Sequence, residues 1–172
     1  MQANRSDRFV EYVDGCDRLR TMEGETVTDE TVCFVREVVA TYVGEHKQMP
    51  AMCSSRDADV MLRKVLPDGS QERVVAIAMN NKNRPVGWTL LGIGTGSQCA
   101  VDLTALLRFV LLTGAPAFLL GHNHPSGDPG PSADDIELTK RISQGAQAVG
   151  LKMLDHVIIG NGRFSFLDAG LL

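Results

Sequence analysis

Residues 121–135 read GHNHPSGDPGPSADD, and no regular element can run through the whole of that stretch. Pro125, Pro129 and Pro131 lack the backbone N–H that a helix or central strand requires, while Gly127 and Gly130 open conformations closed to other residues. The chain must therefore make a tight excursion here and resume regular structure beyond it. On the near side stand His122 and His124, two of the chain's four histidines. In an extended backbone side chains alternate between faces, so imidazoles one residue apart point the same way. On the far side come Ser132 and Asp135, at a spacing that opens a helix.

Taken singly, these residues have ordinary readings. Ser-x-x-Asp is a near relative of the capping box that satisfies the first N–H groups of a helix, and a loop histidine commonly hydrogen-bonds the backbone. Together they read differently. Two neutral imidazoles and a carboxylate, with a fourth position open to water, make up a hydrolytic zinc site. His122, His124 and Asp135 supply those groups, and such an ion lowers the pKa of its water to about 7. A general base is missing from this stretch.

The remainder of the chain sets the scaffold. Its 172 residues, with 44% hydrophobic and 22% charged, suffice for one domain with an appendage. The net charge of -4 removes the basic excess expected of a phosphate-neutralising nucleic-acid surface. Cys16, Cys33, Cys53 and Cys99 form no Cys-x-x-Cys pair and read as reduced, buried filler. No apolar signal core opens the sequence, and the longest apolar run, residues 109–121, is broken by Thr113, Gly114 and Pro116. It is shorter than the roughly 18 residues of a membrane span, so a cytoplasmic protein is expected.

Residues 1–26 carry little pattern. Val32, Val35, Val38, Val39, Tyr42 and Val43 then recur at helical spacing ahead of Gly44, giving residues 1–50 as an N-terminal extension with one amphipathic helix. A short helix capped by Ser54 follows, docked by Val60 and Leu66. Next comes a hairpin of strands 72–79 and 86–91, with residues 80–83 as its turn. GIGTGSQ lacks the Lys-Ser/Thr of a phosphate loop. A buried helix at 103–113 precedes an apolar strand at 116–120 that delivers the histidines. A helix then opens at Ser132 with Ile136, Leu138, Ile142 and Ala146 inward. A strand at 151–159, a turn, a short strand at 164–166 and a frayed end complete an α/β chain with a mixed sheet and helices on its faces.

His-x-His, seven residues, Ser, two residues, Asp is the pattern of the JAMM (MPN, or JAB) metalloproteases, and His122, His124, Ser132 and Asp135 fit it without a gap. With Asn123, Pro125-Ser126-Gly127, Leu154-Asp155-His156 and Ser165-Phe166, residues 51–172 resemble the RadC-type branch of that superfamily. The resemblance implies a cytidine-deaminase-like α/β fold and one Zn2+ per chain held by His122, His124 and Asp135. It also implies a catalytic glutamate early in the first strand, at Glu72, passing a proton from water to the leaving amine. Ser132 would hydrogen-bond the oxyanion. The implied activity is that of a zinc-dependent peptidase or isopeptidase acting on a peptide or protein substrate. A zinc-stabilised interaction module without turnover and a DNA-repair-associated role are the alternatives. A homodimer is compatible with the sequence, and Asp155-His156 reads as structural hydrogen bonding or support for the site rather than as a ligand.

Two departures stand out. The helix-hairpin-helix region that precedes this domain in full-length RadC proteins is not recognisable in residues 1–50, and Leu103-Thr104 stand where relatives carry Pro-Arg.

Overall fold

The computed structural model describes residues 49–66, 69–94 and 101–172. The expected N-terminal helix, His46, Cys16, Cys33, Cys99 and most of the GIGTGSQ loop lie outside the described residues. The elements run α1 (Ser55–Val65), β1 (Arg73–Met79), β2 (Pro85–Ile93), α2 (Leu103–Thr113), β3 (Ala117–Asn123), α3 (Ala133–Ala148), β4 (Lys152–Ile159) and β5 (Arg163–Ser165). The five strands form one mixed sheet in the order β2-β1-β3-β4-β5, in which only β3 and β4 are parallel. A parallel pair needs a crossover, and α3 supplies it.

Strand alternation divides the core between the two faces of the sheet. On one, Val74, Ala76, Ala78, Phe118 and Leu120 pack against Leu106 and Val110 of α2 and against Ile142 and Ala146 of α3. On the other, Val75, Ile77, Leu119, Val157 and Ile159 meet Ala58 and Leu62 of α1. β1 and β3 are thus covered on both sides, which accounts for their apolar runs at 74–79 and 117–121. Each helix begins at a side-chain cap: Ser54, Asp102 and Ser132 accept from Asp57, Thr104 and Asp135 N–H respectively. α2 ends at Gly114, whose φ of 66° is the left-handed conformation that closes a helix cheaply only with glycine.

Several expectations need correction. Val60 is exposed, and α1 docks instead through Ala58, Leu62 and Leu66. Ile136 is exposed too, because the inward positions of the first turns of α3 are taken by Asp135 and Thr139. α2 buries one face and leaves Leu111 and Leu112 exposed, and Cys53 is exposed rather than filler. β3 runs on through His122 and Asn123, and β2 through Gly92 and Ile93. The C-terminus is tied down rather than frayed: Leu171 N–H reaches Phe166 C=O at 2.9 Å, and Leu167 N–H reaches Asp155 Oδ1 at 2.9 Å.

Gly121 shows how closely α1 seats on the strand that carries the site. A Cβ there would collide with the methyls of the fully buried Leu62. Gly121→Ala should therefore cost about 1–3 kcal/mol in urea denaturation, and most of that cost should vanish in a Leu62→Ala background. Equal costs in both backgrounds would contradict this packing.

Candidate metal centre

β3 is hydrogen-bonded to β1 on one side and β4 on the other, so His122, one rung from its end, is completely buried. The chain then leaves the sheet. His124 N–H donates to Ile159 C=O at 2.9 Å, and Gly127 N–H closes a turn onto His124 C=O at 3.0 Å. Gly127 has φ 82°, and its carbonyl accepts Asn161 N–H at 2.7 Å from the β4–β5 turn. Gly160 lies so close beneath this loop that a side chain there would strike the Gly127 carbonyl. The Pro/Gly excursion is held against the end of β4.

The loop ends at Ser132, the N-cap of α3. The full capping box forms: Asp135 N–H donates to Ser132 Oγ at 3.1 Å, and Asp135 Oδ2 accepts Ser132 N–H at 2.8 Å and Ser132 Oγ–H at 2.6 Å. With Oδ2 engaged by two donors, Oδ1 is left facing His122 Nε2 at 3.2 Å. His124 Nε2 lies 3.5 Å from Asp135 Oδ2 and 2.9 Å from His122 Nε2. The structure thus brings His122, His124 and Asp135 together and places Ser132 beside them.

The surrounding acceptors decide where the imidazole protons sit. Thr139 Oγ1 donates to Asp135 C=O at 2.6 Å, so toward His156 Nδ1, 2.7 Å away, the hydroxyl accepts. His156 therefore carries its proton on Nδ1, and its bare Nε2 accepts from His122 Nδ1–H at 2.8 Å. His124 Nδ1, 2.8 Å from Asp128 C=O, must likewise be protonated. Both Nε2 atoms then present lone pairs to each other and to a carboxylate, with no proton between them. Three converging lone-pair donors repel unless a cation lies among them. An ion about 2.0–2.1 Å from each of three tetrahedral ligands would hold them about 3.4 Å apart, close to the separations seen here. The residues present fit a zinc-sized ion.

Behind this centre, His156 stacks on Phe166 with centroids 4.9 Å apart, and Asp155 receives His156 N–H, Leu167 N–H and Ser165 Oγ–H. The role expected for Asp155-His156 as support matches this geometry. Thr139, which fixes the direction of the relay, was not singled out from the sequence. Its only signal is a polar residue on the inward stripe of α3, one turn after Asp135.

Burial, more than offsetting the attraction of Asp135, lowers the His122 pKa to about 4, and burial takes His156 well below the usual imidazole value. Both are neutral near pH 7, as ligation requires. In the unfolded chain these groups protonate below about pH 6.5, whereas the folded chain resists until about pH 4 in the case of His122. The unfolded state binds more protons in that window, so stability falls as pH falls through it. Metal-free protein should lose stability, on the order of a few kcal/mol, between pH 6.5 and 4 as the buried histidines are forced to protonate, and a urea midpoint flat over that range would contradict this.

Glu72 stands immediately before β1, half-buried. Burial raises its pKa, His124 lowers it, and Asp135 raises it again, which places its carboxyl within electrostatic reach of the centre. Asn123, between the histidines, receives Arg73 N–H on Oδ1 at 2.9 Å and donates from Nδ2 to Gln71 C=O at 2.8 Å.

Residues 52–171 match the family model described as a RadC-like JAB domain. A UPF0758 protein of Geobacter sulfurreducens is 32% identical over 91% of this chain and 75% of its own length. Another, from Coprothermobacter proteolyticus, is 38% identical over 58% of the chain, and one from Desulforudis audaxviator is 36% identical over 69%. The matched segments span 42% and 51% of those two relatives.

Proposed function

The chain belongs to the RadC-like JAB domain family, and on that premise we propose that it is a zinc-dependent hydrolase of peptide or isopeptide bonds. The observation that carries the reading is the convergence of His122 Nε2, His124 Nε2 and Asp135 Oδ1 with both imidazole protons directed elsewhere. When bound there, zinc supplies Lewis acidity and lowers the pKa of water to about 7.

The remaining steps fall to the chain's own residues. Glu72 takes a proton from the attacking water and returns it to the departing amine. Its half-buried place, which raises its pKa, suits a group that must both accept and release a proton near neutrality. Ser132 now gives its hydroxyl proton to Asp135 Oδ2. Rotating that proton toward the substrate oxyanion still leaves Asp135 held by Ser132 N–H, so cap and oxyanion donor are compatible roles.

The test is a cleavage screen of peptide and isopeptide-linked libraries, run with protein that has been zinc-loaded, chelated, and chelated then restored with zinc. Cleavage that disappears on chelation and returns with zinc is expected. Stoichiometric zinc binding with no cleavage would reject the hydrolase reading and leave a zinc-stabilised interaction module.

A further inference from the structure

β1 loses its β3 partner, though not its β2 partner, close to where Glu72 stands. The last rung of the β1–β3 ladder is Val74↔His122, whereas β3 stays paired with β4 one residue further, through Asn123↔Ile159 and the bond from His124 N–H to Ile159 C=O. The carboxamide of Asn123 takes over from the strand. It accepts from Arg73 N–H and donates to Gln71 C=O, an N–H and a C=O that flank Glu72 and are reached together by one carboxamide. An antiparallel partner engages that same pair of groups. A buried side chain therefore serves as one further rung, centred on Glu72. From the other side, Gly94 N–H donates to Glu72 C=O at 2.8 Å. A Cβ at Gly94 would lie 3.0 Å from Glu72 Cβ and 3.3 Å from Oε2, so the side chain is bounded there as well.

We propose that Asn123 is a positioning residue for Glu72, an inference that rests on the general-base reading of Glu72. His122, Asn123 and His124 then do two jobs with three consecutive residues. The outer two aim lone pairs into the centre, and the middle one, on the opposite face of β3, fixes the base relative to them. A proton carrier must stay within hydrogen-bond reach of the atoms it serves, and the segment 70–72 lies outside the ladder that would otherwise hold it.

The test uses zinc-loaded Asn123→Ala, with Asn123→Leu, which keeps the branched outline without polar atoms, as the second variant should Ala not fold. Turnover should fall about 10–100-fold with KM and zinc stoichiometry unchanged. In a Glu72→Gln background the same substitution should produce no further loss. Independently of activity, amide exchange at Gly94, which bonds to Glu72 and not to Asn123, should accelerate at least about tenfold, with α3 unaffected. Additive losses in the Glu72→Gln background, or unchanged exchange at Gly94, would overturn the proposal. Should the wild type cleave nothing, the hydrolase reading fails, and Gly94 exchange alone decides whether Asn123 holds Glu72.

Discussion

Glu72→Gln is expected to lower hydrolysis by about 10²–10⁴-fold, the span that general acid–base groups commonly supply, while zinc content and thermal stability stay at wild-type levels. Gln keeps the size of Glu72 and leaves the bond from Gly94 N–H to the residue 72 carbonyl in place, but it cannot take a proton from water. Glu72 makes no contact with His122, His124 or Asp135 that organises the centre, whose hydrogen bonds run to Ser132, Asp128 and His156. Loss of zinc on this substitution would mean that Glu72 belongs to the ligand set. Full activity would mean that the proton is carried by another group.

Thr139→Val should weaken zinc binding about 10–100-fold, although Thr139 touches no ion ligand side chain. Valine preserves the outline and removes one hydroxyl. That leaves His156 Nδ1–H without the acceptor it has at 2.7 Å and takes away the bond to Asp135 C=O. The His156 ring can then adopt its other tautomer, with a proton on Nε2 directed at His122 Nδ1. His122 would be forced to carry its own proton on the Nε2 that faces the centre. Competition titration against a zinc chelator measures the change, and Thr139→Ser should restore the affinity. Wild-type affinity in Thr139→Val would show that the relay does not set the His122 tautomer.

The site and the fold were legible to different depths. The cores of β1 and β3, residues 74–79 and 117–121, announced themselves because both faces are covered, so those runs are wholly apolar. The extent of β3 did not, since His122 and Asn123 look like loop residues until their backbone is seen hydrogen-bonded within the sheet. Periodicity misplaced Ile136 for a related reason: the inward stripe of α3 begins with Asp135 and Thr139, which serve the centre rather than the core. A pattern that assumes apolar residues point inward fails where the interior holds a polar site. The grouping of His122, His124, Ser132 and Asp135 could be read locally because one rigid loop carries them all. The role proposed for Glu72 rests on the family pattern, since nothing near it in sequence sets it apart from an exposed edge charge. The carboxamide rung of Asn123 depends on a pairing across 50 residues, and no local spacing encodes it.

The claim on which the rest depends is that one ion sits among His122 Nε2, His124 Nε2 and Asp135. Diffraction data collected on either side of the zinc absorption edge, from crystals of zinc-loaded protein, test it directly. A single anomalous peak per chain, within about 2.0–2.2 Å of those three residues and absent from His122→Ala, is the result predicted. No peak at that position, or a peak that persists in His122→Ala, would contradict the account.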